Sequence, residues 1–423
     1  MTMRLTQLAN GLTVVSEAMD HLESAAIGLW VNAGTRSEAE HEHGISHLLE
    51  HMAFKGTARR SAREIAETIE AVGGEINAAT SIDHTAYYAR VLKDDIPLAV
   101  DVLADILTNS TFAPEELARE RHVILQEIGA VLDTPDDLVF DHFQAAAYPG
   151  QPIGRTILGE EESISRLTSQ NLKDYLDRHY RATSIVLAAA GAVEHDALVA
   201  MAERSLSSLQ PNGTMQPEPA RYLGGEHRLR KRLQEAQIIF GFEAPSRRSE
   251  RYFAGRLLGT ILGDGMASRL FQRVREEKGL CYSISAFHWA FSDSGVLGVH
   301  TATSKGDLKP ATALIVEELQ KITDGIFDDE LARAKAQIKA GLLMALESPA
   351  ARAGQLARQI MVLGRPLALE ELLADLERMT QKDVAEMAKQ TLASPLTLAA
   401  VGPIGRLPDT SSIAGRLRGS AVL

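Results

Sequence analysis

The chain has 423 residues, enough for two domains of ordinary size, and 45% of it is hydrophobic, enough for a sizeable core. Its 44 Lys and Arg against 56 Asp and Glu give a net charge of −12, which speaks against a nucleic-acid partner and mildly favours cationic peptides. The single Cys281 excludes an intrachain disulfide and a cysteine metal cluster, and no apolar run reaches the length of a membrane span.

The first residues, MTMRLTQLANGLTVVSEAM, predict a strand, an Asn10-Gly11 turn and a second strand. They lack both a charged-then-apolar leader and an Arg-rich transit segment, so the expected compartment is a bacterial cytoplasm. Further on, Ile45, Leu48, Leu49 and Met52 form one apolar helical stripe. At about 100° per residue, His47, Glu50 and His51 share the other side. This H-x-x-E-H pattern reads either as the wet face of an amphipathic helix or as a metal site with a carboxylate beside it.

A helix is expected around 60–73. The segment GGEINAATSIDHTAYYAR then predicts a Gly-Gly turn and a strand from its period-two alternation. Helices follow around 97–109 and 114–131. In the second of these Pro114 suits a first helical position, and Glu115 and Glu116 suit the positive end of the dipole. Glu120 and Glu127 stand seven apart at the edge of its apolar stripe. Each either reaches the surface or meets a cation or donor, because a buried carboxylate is costly alone. Asp137 and Asp141, spaced i, i+4, read from the residues alone as acids of a capped helix start.

The plan then repeats. LTSQNLKDYL leads to SIVLAAAGAV and Gly191; MTQKDVAEMA leads to SPLTLAAVGPI and Gly402, half a chain later. Helices around 250–262, 307–323 and 328–347 correspond to those of the first half. The Pro-, Gly- and Ser-rich stretch between is a linker with a boundary near residue 215. The expected domains are therefore 1–210, a linker over 211–225, a repeat domain over 226–405, and a loosely ordered tail over 406–423. The second half has no H-x-x-E-H. Its Gly259, Gly263 and Gly265 make no phosphate loop, since no strand–glycine–helix–Lys arrangement accompanies them.

HLLEHMAFKGT, GGEINAATSIDHTAYY and ARERHVILQEI together resemble the pitrilysin (inverzincin) family of zinc peptidases, and within it the catalytic subunit of mitochondrial processing peptidase and its bacterial relatives. Glu127 lies 76 residues after His51 and seven after Glu120, the spacing of that family. The resemblance implies an α+β fold of two structurally repeated domains, each a mainly antiparallel sheet packed with helices. It implies that His47, His51 and Glu127 bind one Zn2+ per chain, that Glu50 is the general base, and that Glu120 orients a ligand or water. Arg275-Glu276-Glu277-Lys278-Gly279-Leu280-Cys281-Tyr282 resembles the family's R-E-x-x-G-L-x-Y block, which makes Arg275 and Tyr282 substrate-gripping residues. The stretch before it, around Gly259–Gly265, is implied to be a flexible substrate-facing loop. Asn77, Ala78 and Ala79 become a sheet edge that takes an extended peptide as an added strand, and Asp137 and Asp141 a preference for basic peptides.

The expected function is a zinc endopeptidase cleaving unfolded or small peptides. The alternative is a non-catalytic structural or partner subunit of a processing-peptidase-like complex. A two-domain chain of this family implies a homodimer, or else a heterodimer with a related subunit, and no nucleic-acid or membrane partner.

Overall fold

The computed structural model describes residues 2–211 and 217–419. In the first half the chain forms β1 (Thr2–Gln7), β2 (Thr13–Ala18), β3 (Ser24–Val31), α1 (Ile45–Ala53), α2 (Ala62–Glu70), β4 (Glu75–Thr80), β5 (Thr85–Leu92) and α3 (Ile96–Thr108). It continues through α4 (Pro114–Asp133), α5 (Pro135–Ala147), α6 (Glu161–Arg166), α7 (Ser169–His179), β6 (Ile185–Gly191) and α8 (His195–Leu206). The second half forms β7 (Gly225–Arg230), β8 (Glu235–Glu243), α9 (Tyr252–Gly263), a π-helical turn over Phe271–Glu276, β9 (Ser283–Ala290) and β10 (Gly295–Ser304). It ends with α10 (Leu308–Lys321), α11 (Asp328–Ala345), α12 (Pro349–Leu363), α13 (Leu369–Glu377), α14 (Gln381–Ala393), β11 (Thr397–Gly402) and α15 (Thr410–Leu417). Among the described residues no helix is long and apolar enough to cross a membrane.

Two compact units result. One holds residues 1–129, 155–218 and 342–367, around a sheet ordered β1-β2-β6-β3-β5-β4. The other holds 130–154, 219–341 and 368–423, around a sheet ordered β7-β11-β8-β10-β9. The sheets follow one plan. β6 and β11 each pair parallel to one neighbour (β2 or β7) and antiparallel to the other (β3 or β8). Among the described residues β1 alone has no counterpart, so β2 is covered where β7 is an edge.

The repeated helices start alike. Thr168 and Thr380 cap α7 and α14 by accepting from Asn171 N and Asp383 N, each in a reciprocal capping box. Each following strand ends on a left-handed glycine, Gly191 at φ 114° and Gly402 at φ 124°. A Cβ there would meet Ser24 O at 2.4 Å or Glu235 O at 2.7 Å, so only glycine closes the strand against its neighbour.

Alternation along β3 explains how the first sheet is buried on both faces. Ala25, Ile27, Leu29 and Val31 join the core under α1, α3, α4 and α7, whereas Trp30 joins a second cluster with Ala353, Leu356 and Ala357 of α12. On that second face Arg352 Nη2 donates to Glu17 Oε2 at 2.5 Å, both side chains being 5% exposed.

The units differ from the expected halves. α5, from the first half, packs on β7, β8 and β11; α12, from the second, packs on β2, β3 and β6. The boundary expected near residue 215 lies outside the described residues. Within the tail expected to be loose, Thr410–Leu417 form α15, which packs on α10 and buries Ile413.

Candidate metal centre

α1 starts without a side-chain cap: Gly44 holds the N-cap position at φ 90°. The free amides of its first turn are met by Glu38 instead, whose two oxygens accept from Gly44 N and Ser46 N at 2.8 Å each. Burial pushes the Glu38 carboxyl up to about 8, against the pull of those amides. Ser46 Oγ meets Tyr175 OH at 2.9 Å, and Thr80 of β4 donates to Ser46 O at 3.4 Å. With Ile45, Leu48, Leu49, Met52 and Ala53 buried, the helix cannot roll, and His47, Glu50 and His51 lie together on its half-buried side.

α4 brings the third group. It is anchored by buried Leu117 and Ile124. Glu127 Oε2 stands 3.8 Å from both His47 Nε2 and His51 Nε2. One donor atom from each residue lies within 4.8 Å of the others, and among the described residues this is the one such group of three or more His, Cys, Asp or Glu side chains. A tetrahedral zinc centre with ligands at about 2.1 Å has edges of about 3.4 Å, so a small inward motion suffices. Glu127 Oε2 is buried with no hydrogen-bond partner, an orphaned acceptor facing two imidazoles. Burial first, and the neighbouring His51 second, pull His47 down to about 4, so its imidazole is neutral and its lone pair is free to bind a cation. The donor set and its orphaned oxygen fit zinc.

His51 is held from behind. Its Nδ1–H donates to Glu120 Oε2 at 2.9 Å, which turns Nε2 toward Glu127. Glu120 Oε1 takes an ion pair from Lys55 at 2.7 Å. Burial pushes the Glu120 carboxyl up, but the hydrogen bonds from Lys55 and His51 outweigh it and hold the group below its ordinary value. Lys55 was not singled out in the sequence, although it stands one helical turn past His51. Nor were Glu38 and Tyr175, which no local spacing ties to the motif.

The other residues singled out fall in two places. Asn77, Ala78 and Ala79 lie in β4, the open edge of the first sheet and packed beside α1; Asn77 and Ala79 are exposed. Arg275, Tyr282, Asp137 and Asp141 belong to the second unit. The Arg275 guanidinium lies 4.5 Å over the Phe271 ring. Tyr282 is 75% exposed, standing clear of the strand core. Burial, then the charge of Asp137, pushes Asp141 up to about 6. The stretch implied to be a flexible loop is mostly helix. Gly259 and Gly263 lie in α9, and a Cβ on Gly263 would meet Ala286 N at 2.2 Å, so this glycine lets α9 close on β9.

Residues 13–161 match the family model described as Insulinase (Peptidase family M16), and residues 166–338 match the one described as Peptidase M16 inactive domain. An uncharacterized zinc protease of Rickettsia felis is 39% identical over 94% of this chain and 97% of its own. A probable mitochondrial-processing peptidase subunit beta of Arabidopsis thaliana is 36% identical over 96% of this chain and 79% of its own. In fold, the chain is similar to a Pseudomonas fluorescens structure titled as a peptidase M16 inactive domain, with TM-score 0.88, 21% identity and coverage of 96% and 99%. A protease from Helicobacter pylori gives TM-score 0.86, 21% identity and coverage of 95% and 99%. With a metal-type donor set on α1 and α4 and relatives named as zinc proteases along nearly its full length, the chain belongs to peptidase family M16, the insulinase or pitrilysin family.

Proposed function

We propose that the chain is a zinc-dependent endopeptidase that cleaves extended, unfolded or small peptides. The observation that carries this reading is the meeting of His47, His51 and Glu127 from two separate helices. These three residues would hold one zinc ion, which when bound lowers the pKa of a water to about 7 and polarises the scissile carbonyl. Glu50 takes the proton from the attacking water and passes it to the leaving amine. Glu120 and Lys55 keep His51 in the tautomer that ligates through Nε2.

The substrate lies as an added strand along Asn77, Ala78 and Ala79 of β4, whose outer backbone groups are unpaired within the sheet. Such pairing selects extended chain over folded surface. Arg275 and Tyr282 grip substrate carbonyls, and Asp137 and Asp141 favour basic residues near the cut. The protein works as a homodimer in the cytoplasm, each site combining one subunit's zinc ligands with the other's Arg275 and Tyr282. Mixing inactive Glu50→Gln with inactive Arg275→Ala subunits restores activity if sites are shared, and restores none if each chain is self-sufficient.

The direct test is to purify the chain alone, measure its zinc, and follow cleavage of a basic peptide with and without chelator. Zinc-dependent cleavage supports the reading. Zinc without cleavage points to a required partner, and no zinc points to a structural subunit.

A further inference from the structure

The two sheets offer an internal control for a feature unrelated to the metal centre. At one end of each sheet a short loop joins the strand pair β2–β3 or β7–β8, beside the glycine that ends β6 or β11. Register aligns these ends residue by residue. Ala18 sits opposite Gly191 as Arg230 sits opposite Gly402. Met19 N donates to Gly191 O as Lys231 N donates to Gly402 O. Ser24 pairs with Leu92 as Glu235 pairs with Ser304. Ala18, Met19 and Asp20 therefore correspond to Arg230, Lys231 and Arg232, Glu23 to Gln234, and Lys93 to Lys305.

The chemistry of the two ends is opposite. In the first, Lys93 is neutralised by Glu23 at 2.6 Å, and Asp20 adds a second acid. In the second, Gln234 stands where the acid was. Lys305, Arg230 and Arg232 are exposed and make no ion pair among the described residues, and Lys231 donates to the Leu132 carbonyl. These four cations line an open depression of about 860 Å³ that no carboxylate lines; the adjoining one beyond Arg230 carries Glu226 and Asp409. In a chain of net charge −12 such a concentration is not chance charge spread over a surface. Like charges this close raise the local potential and repel one another unless an anion joins them. The wall also carries Leu233, Pro403 and the buried Ile404, so the cavity has an apolar side.

We infer that this mouth at the end of the second sheet is a binding site for an oligophosphate, with Arg230, Arg232 and Lys305 contacting the phosphates and Leu233 available to an attached apolar or aromatic group. Arginine suits bidentate contact to phosphate, and lysine supplies a point charge. The site stands apart from the peptidase reading and does not depend on it.

Calorimetry on the zinc-loaded chain tests it, using inorganic tripolyphosphate, adenosine triphosphate and orthophosphate as probes. The expected result is saturable one-to-one binding of both triphosphates, with orthophosphate weaker by about tenfold or more, each tenfold being about 1.4 kcal/mol. Gln234→Glu installs the acid that the first sheet has, and is expected to weaken binding about tenfold, as is Lys305→Ala, with melting temperature unchanged. Equal affinity for the two triphosphates assigns recognition to phosphate alone; tighter adenosine triphosphate assigns a share to Leu233. Undiminished binding in His47→Ala separates this site from phosphate chelation at zinc, and its loss there overturns the proposal. So does the absence of saturable binding, affinity unaffected by Gln234→Glu and Lys305→Ala, or binding of single-stranded DNA that the triphosphates do not displace.

Discussion

α1 and α9 occupy the same place in the repeated plan, each between the strand that pairs with β6 or β11 and the edge strand β4 or β9, yet among the described residues only α1 carries a metal-type donor set. α9 is buried nearly all round: Phe253, Ala254, Gly255 and every residue from Leu257 to Gly263 are buried. It lies so close to β9 that Gly263 has no room for a side chain. α1 buries one stripe and leaves His47, Glu50 and His51 partly buried, the two imidazoles 12% and 18% exposed. The lesson is that a duplicated scaffold supports two uses of one helix. Where the helix is sunk, small residues let it close on the sheet; where Glu38 meets its first-turn amides and Glu120 orients His51, its other side presents two imidazoles to Glu127.

The comparison breaks most sharply at Glu50. Glu50→Gln is expected to leave zinc content unchanged and lower peptide cleavage by about 10³-fold or more, because the carboxylate that moves the proton is gone while the ligands stay. Metal analysis and a fluorogenic peptide assay read the two effects separately. Equal cleavage in the variant would mean that the first helix is as inert as its counterpart.

The next effect contrasts the outer helices. α12 places Arg352 against Glu17 in a nearly dry contact, whereas α5 buries Leu138, Val139, Phe143 and Ala147 and keeps Asp137 exposed. Glu17→Gln strands a buried guanidinium and is expected to destabilise by about 3–5 kcal/mol. Thermal unfolding measures it. Replacing both partners by apolar residues of similar volume should recover most of the loss, which distinguishes stranding from lost attraction.

Glu120→Gln should weaken zinc binding or cleavage by about 10–100-fold, since the amide still accepts from His51 but no longer pairs with Lys55. A zinc competition titration reads it. Lys55→Met should move the same quantities by less, because Glu120 keeps its hydrogen bond to the imidazole.

Much of this centre was legible in the sequence because a helix turns local spacing into direction: the stripe of Ile45, Leu48, Leu49 and Met52 fixed which way His47 and His51 face. Glu127 needed the family spacing as well, since periodicity left it at the edge of its stripe. The exchange of α5 and α12 was not legible, because an amphipathic pattern says that a face is buried and not against which sheet. The helix expected around 250–262 is α9, and only the family resemblance implied a loop over Gly259–Gly265, because a glycine serves a turn and a close helix–strand approach equally. The overall acidity of the chain hid the cluster at Arg230, Lys231 and Arg232, which becomes a site only when β10 brings Lys305 beside it.

The smallest effect concerns pH and again sets the two outer helices apart. Asp141 is raised to about 6 by burial and then by Asp137, against an ordinary 3.8. As pH rises through this window the unfolded chain releases that proton while the folded chain keeps it. Stability therefore falls between pH 3.8 and about 6, and the full penalty, at most about 3 kcal/mol, stands above it. Asp141→Asn removes the charge without changing the volume. Its melting temperature should exceed that of the parent at pH 7, and the gap should close as pH drops toward 4. A constant gap would assign the effect to packing of α5, and no gap would mean that water reaches Asp141 more freely than its burial suggests. The Glu17–Arg352 pair on α12 gives the contrast, because removing a partner there destabilises at neutral pH, where removing the Asp141 charge stabilises.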